Sequence, residues 1–203
     1  MKFVIGRTLT ILSWDNPVTA FFRINRKLRH NLGRPSRSDF VQLEVVKEFT
    51  MNKSTIYELL QKQMLMSVGT INDIFPDNSV VCFAADNECN LYFGSYSDTL
   101  KCKNIEKSGY VAITVGTLQI HGIANLVKYG TSEYWKGRAI YDERFPQYRE
   151  MFEYKDNELY CITPLVIWNY NPSKGEMHRD VLILDHNYYE KIDVYKPHKY
   201  EKR

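Results

Sequence analysis

None of the ten glycines of this chain forms a Gly-x-Gly, so there is neither a Rossmann dinucleotide turn nor a Walker-type phosphate loop. A Gly-x-Ser-x-Gly elbow and a His-Glu-x-x-His helix are missing too, which argues against the common esterase and metalloprotease chemistries. The four cysteines, Cys82, Cys89, Cys102 and Cys161, include no Cys-x-x-Cys pair, and no histidine stands at zinc-ligand spacing from them. A redox or metal role would need such a grouping. The favoured reading is four separate reduced thiols in a cytoplasmic protein. No run approaches the roughly 20 apolar residues of a membrane span, so no membrane partner is expected.

Acidic residues are scarce at the start of the chain. Asp15 is the only acid before Asp39, while residues 1–50 hold nine Lys/Arg against four Asp/Glu. The remaining residues carry 18 basic and 20 acidic side chains. A nucleic-acid binder spreads its basic face over the folded domain, so no nucleic-acid partner is expected. Residues 1–50 lack the apolar core and small-residue cleavage site of a secretory signal. They read as a targeting sequence, a basic docking arm, or sequence upstream of the functional domain, and a peripheral extension is favoured. Met51-Asn52-Lys53-Ser54 looks like a fresh start.

What is present is a chain of 203 residues, 44% hydrophobic and 25% charged, the balance of one globular domain. Aromatics reach 14%, including fifteen Tyr, which favours β structure. Thr55 and Glu58 have capping-box spacing, and Ile56, Leu59, Leu60 and Met64 form one helical stripe. Strands are expected over 64–71, 79–85, 91–95, 110–115 and 118–127. Gly116-Thr117 suits a type II′ hairpin between the last two. Helices are expected over 99–107, from Thr131 to about Tyr141, and near 147–152. A long strand follows over 159–170, with Pro164 tolerated only at an edge or bulge. A last strand covers 181–184, and residues 191–203 form a polar tail. Hairpin strands rimmed by helices predict a small closed barrel, mainly β with α+β character.

The informative stretch runs from Leu91 to Ile105. A strand ends at Ser95 and a helix starts near Thr99, so hydroxyls at Ser95, Ser97 and Thr99 cluster where helix amides lack partners. Lys101 lies one turn inside. Together these groups suit a phosphate dianion, although Ser/Thr with a nearby Lys is also an ordinary cap with a solvated charge.

This stretch resembles the pyridoxamine 5′-phosphate oxidase-like split-barrel family, in which Phe-Gly-Thr, Ser/Thr-x-Lys and Asn-Leu follow one another. Phe93-Gly94-Ser95, Thr99-x-Lys101 and Asn104-Ile105 occupy those places. Val68-Gly69-Thr70-Ile71 is similar to the family's first strand, and Pro76-x-x-Ser79-x-Val81-x-Phe83 to its second. Val111 to Val115 and Gln119-Ile120-His121-Gly122-Ile123-Ala124 are similar to its fourth and fifth. The likeness covers residues 54 to about 185. It implies a six-stranded split β-barrel with peripheral helices over residues 51–190, a homodimer, and FMN at the subunit interface. By matching position, Thr99 and Lys101 would hold the phosphate with Ser95 alongside, and the backbone of Val80, Val81 and Cys82 would line the flavin ring. Gln119 and His121 share one strand face, either toward the cofactor or toward solvent. Trp168 would stack on flavin from the partner subunit or fill the dimer core. Arg138, Arg144 and Arg149 would meet a substrate anion or form a solvated face.

The chain departs from the family pattern at three places. Val80 replaces the usual Pro, Leu100 stands where a basic residue is frequent, and the Trp- and Arg-rich ending of true pyridoxamine phosphate oxidases is missing. The resemblance therefore implies a flavin-dependent oxidoreductase acting on an unidentified small substrate. Its alternatives are a flavin carrier or redox sensor, the same fold with deazaflavin or haem, and a structural dimer with an empty site.

Overall fold

In the computed structural model the described residues are 51–174 and 178–192, together with the backbone of 11–13 and 16–18. Most of the expected N-terminal extension and the tail beyond 192 lie outside them. The chain divides into two units, residues 1–48 and 49–203. In the first, β1 (Ile11–Ser13) and β2 (Asn16–Val18) pair antiparallel.

The second unit starts with α1 (Lys53–Gln61), which buries Ile56 and Leu60 completely, each contributing about 1.5–3 kcal/mol by burial. The expected capping box at Thr55 is corrected. Asn52 is the N-cap, its side chain accepting from the Thr55 amide at 2.8 Å. The helix therefore begins three residues earlier, and Thr55 lies inside its first turn.

Next come β3 (Leu65–Ile71), β4 (Pro76–Cys82), β5 (Ala84–Ala85) and β6 (Leu91–Tyr96), followed by α2 (Leu100–Lys107). The hairpin β7 (Tyr110–Val115) and β8 (Leu118–Leu126) turns at Gly116, whose φ is +56°. Thr117 keeps a negative φ, which excludes a type I′ turn and fits II′. Then follow α3 (Ser132–Arg144), a 3₁₀ segment (Pro146–Glu153), β9 (Asn157–Tyr170), β10 (Arg179–Ile183) and α4 (His186–Lys191).

The sheet order is β4-β3-β7-β8-β9-β6-β5, with β10 also on β9. Only Phe83 separates β4 from β5, so the two ends of this path are one interrupted strand and the sheet closes. Counting β4 and β5 together gives the six-stranded barrel expected, and β10 is an additional flank. β9 is the longest strand. It pairs with β6 through its first half and with β10 through its second. Pro164 cannot donate to a ladder, and β8 shifts register opposite it, between His121 and Gly122. The bulge rather than an edge accommodates this proline.

Alternation along the strands points Met66, Val68, Ile113, Ile120 and Ile162 into the barrel core. A second cluster under α3 joins Tyr92, Tyr134, Tyr141, Phe145 and Phe152. A third, on the outer face of β9 and β10, joins Val166, Trp168 and Val181 with Tyr188 and Tyr189 of α4.

Candidate functional site

β6 ends in a tight reversal in which the Thr99 amide donates to Tyr96 O at 3.2 Å. Thr99 is the N-cap of α2, but its hydroxyl also donates back to Tyr96 O, at 2.9 Å, and no side chain caps the helix. The first amides of α2 are left to an external acceptor, at the positive end of its dipole. Ser95 Oγ lies 3.2 Å from Thr99 Oγ1, and Lys101 Nζ donates to the same oxygen at 3.3 Å. Three side chains singled out in the sequence thus converge on one point. Hydroxyl donors, an ammonium and unpaired amides are the donor set of a phosphate dianion.

Sequence reading missed the layer beneath. Cys102 Sγ is 3.1 Å from Thr99 Oγ1, and Tyr160 donates to Glu158 Oε2 at 2.8 Å. Tyr160 is buried, stacks on Phe93 at 5.2 Å, and burial raises its pKa. The available signal was helical spacing, since Cys102 is three residues beyond Thr99 on the same face.

β4 supplies the opposite wall. Val80 is 66% exposed, while Val81 and Cys82 are half-buried. The register pairs Ala84 with Tyr92, and continuing it sets Val81 across from Ser95. There β4 and β6 touch without pairing, so the barrel is split along this seam. β6 and α2, which carry Ser95 and Lys101, both pack against β4.

Gln119 and Trp168 lie elsewhere. They are direct partners across β8 and β9, ten residues along β9 from Glu158, the partner of Ser95. At about 3.3 Å per residue, one subunit cannot bring both groups to one phosphate. Trp168 is 4% exposed in the cluster beneath α4, where the dimer core had been one expectation. His121 shares a 2.8 Å hydrogen bond with the Tyr188 hydroxyl and meets Trp168 edge-on at 4.9 Å. Burial lowers its pKa.

All three α3-region arginines have structural partners. Arg138 pairs with Asp142 at 2.8 Å and lies over the Phe152 ring at 4.3 Å. Arg144 holds the carbonyls of Gln61 and Gln63, where α1 ends and a cation is favoured. Neither belongs to a solvated face. Arg149 is exposed and 3.7 Å from Asp142.

No cysteine is in a disulfide, and no metal-holding cluster occurs among the described residues. Burial lifts the Cys89 and Cys161 thiols to about 11.

No protein-family model matches the sequence, and no curated protein matches it. Solved structures do. The chain is similar to general stress protein 26 of Bacillus anthracis, with 17% identity over 65% of this chain and 98% of the other, at a TM-score of 0.52. It is similar to a Clostridium acetobutylicum protein related to general stress protein 26 and described as of the pyridoxine phosphate oxidase family. There identity is 12% over 66% and 97% of the chains, with a TM-score of 0.51. A haem-binding protein of Mycobacterium smegmatis matches at 10% identity, over 64% of this chain and 57% of its own, with a TM-score of 0.55. The chain thus has the pyridoxamine 5′-phosphate oxidase-like split-barrel fold.

Proposed function

We propose that this chain binds FMN and acts as a flavin-dependent oxidoreductase on a small substrate, as a homodimer. The observation that carries the reading is the meeting of Ser95, Thr99 and Lys101 at the uncapped start of α2. Those three groups and the helix amides fit a phosphate monoester. By the resemblance, the main chain of Val80, Val81 and Cys82 would line the flat ring, and the packing of β4 against β6 and α2 supports that reading. Bound flavin supplies electron or hydride chemistry, while the protein orients it and limits solvent. The homodimer is supported by the resemblance and by exposed apolar side chains on the outer sheet face, Ile71, Val80 and Tyr110. Reduced thiols fit a cytoplasmic protein. No helix among the described residues is long and apolar enough to cross a membrane.

The similarity to a haem-binding protein supports a second reading, haem in the same fold. The absorbance spectrum and mass of the purified protein's small molecule separate the two. FMN gives a flavin spectrum, whereas a Soret band overturns the flavin reading. Anaerobic mixing with NADH or NADPH then tests turnover. Bleaching of bound flavin is expected of the enzyme, and an unchanged spectrum with both donors favours a carrier or sensor.

A further inference from the structure

Beyond the Phe93–Tyr160 stack, β6 and β9 carry one more pair on the same face, at the end of the barrel where α2 begins. Ser95 is the direct partner of Glu158. Phe93 and Tyr160 are partners two residues inward and belong to the barrel core, so Ser95 and Glu158 project toward that same face. The Cβ atoms of such partners stand about 5 Å apart. The Tyr160 hydroxyl donates to Glu158 Oε2 at 2.8 Å and also meets Cys102, whose sulfur is 3.1 Å from Thr99 Oγ1. A half-buried carboxylate therefore stands beside the phosphate seat, tied into the layer beneath it.

No Lys, Arg or His nitrogen forms an ion pair with Glu158 among the described residues. α3 and the 3₁₀ segment cover the opposite face of β9, where Leu159 points. The charged groups of the neighbouring elements are Lys101 of α2, Asp98 in the reversal, Lys155 and Asp156 ahead of β9, and Lys128 just beyond β8, which continuing the Leu126–Tyr160 register sets across from Glu158. With Glu158, a phosphate dianion in the seat puts three negative charges against the Lys101 ammonium and about half a charge of helix dipole. Phosphate monoesters lose their second proton at about pH 6. Below that pH the ester carries a single charge and an O–H, which a carboxylate accepts in a short charge-assisted hydrogen bond. We infer that Glu158 selects the singly charged phosphate, so that FMN is held in mildly acidic solution and exchanges readily in alkaline solution. This control of release rests on the FMN reading above.

FMN and riboflavin are titrated by fluorescence quenching at pH 5.5 and pH 8.0 into the parent, Glu158→Gln and Lys101→Ala. The ratio of the two dissociation constants isolates the phosphate. In the parent, that preference for FMN is expected to be about tenfold larger at pH 5.5 than at pH 8.0. Glu158→Gln keeps the shape and an oxygen for Tyr160. It should raise the preference about tenfold at pH 8.0, making it as large there as at pH 5.5. Circular dichroism of Glu158→Gln should match the parent, and the parent's own pH response tests the assignment without any substitution. A parent preference that does not change with pH overturns the role of Glu158, as does a pH response that persists in Glu158→Gln. Lys101→Ala should abolish the preference at both pH values. If it does so while Glu158→Gln behaves as the parent, the FMN seat stands and only the role of the carboxylate falls. No preference for FMN in the parent at either pH overturns both.

Discussion

The hydroxyl of Ser95 lies 3.2 Å from that of Thr99, joining the last turn of a strand to the first residue of a helix. Thr99 Oγ1 rests against Tyr96 O and receives Lys101 on a lone pair, no side chain caps the helix, and an arriving anion would take the hydroxyl proton in place of Tyr96 O. An anion arriving at α2 meets donors already held in place. Replacing Thr99→Val keeps the shape and removes the hydroxyl. FMN affinity should fall by about 1–1.5 kcal/mol, the usual worth of one hydrogen bond, as read by flavin fluorescence quenching. Unchanged affinity would place the phosphate elsewhere.

The Asn52 cap makes a claim about stability alone. Asn52→Ala should lower unfolding free energy by about 1 kcal/mol in a urea titration with unchanged slope. Thr55→Ala should cost less, because Thr55 contributes its amide rather than its side chain. The reverse order would restore the capping box.

At the bulge opposite Pro164, a Cβ on Gly122 would lie 2.8 Å from a methyl of Ile162 and 2.9 Å from Thr163 O. The carbonyl belongs to the backbone of the longest strand and cannot swing aside. Gly122→Ala should therefore destabilise by about 1–3 kcal/mol, the cost of overpacking, in the same assay. Gly130→Ala is a contrasting case, with open space around it but a positive φ of +83°, so its cost should come from backbone strain alone.

Asp180 gives a pH signature. Burial alone would raise its pKa, but hydrogen bonds from Lys174 at 2.8 Å, His178 at 3.0 Å and Asn171 at 3.3 Å outweigh that and hold it below the ordinary carboxylate value. The unfolded chain then binds the proton more readily than the folded one. The stabilisation is fully present above the unfolded pKa, about 3.9, and is lost as pH falls through the lower folded value. Asp180→Asn should cost about 2 kcal/mol near pH 7, with the gap to the parent closing below about pH 4. A gap independent of pH would show that the carboxylate's charge is not what stabilises the fold.

The elements with clean periodicity were legible in the sequence: the β7–β8 alternation, the Gly116 turn and the α2 boundary at Thr99. Local chemistry was legible as well, since Ser95, Thr99 and Lys101 are close along the chain. The start of β4 was not, because Pro76-Asp77-Asn78 has turn composition, yet the ladder with β3 begins at Pro76 opposite Ile71. Nor was α4, whose six residues His186–Lys191 are too short for a helical period to register. Arg144 capping the end of α1 joins residues about eighty positions apart. The meeting of Ser95 with Glu158 likewise depends on the β6–β9 register. Such long-range pairings follow from how the strands are laid side by side, which composition does not encode.

FMN and riboflavin titrated in parallel into the parent and Lys101→Ala test the central claim most directly, because the two ligands differ only in the phosphate. The account predicts that Lys101→Ala weakens FMN by about 1.5–3 kcal/mol, the range for a charge-assisted hydrogen bond, and leaves riboflavin unchanged. Equal loss for both ligands, or no loss for either, would contradict a phosphate held at the start of α2.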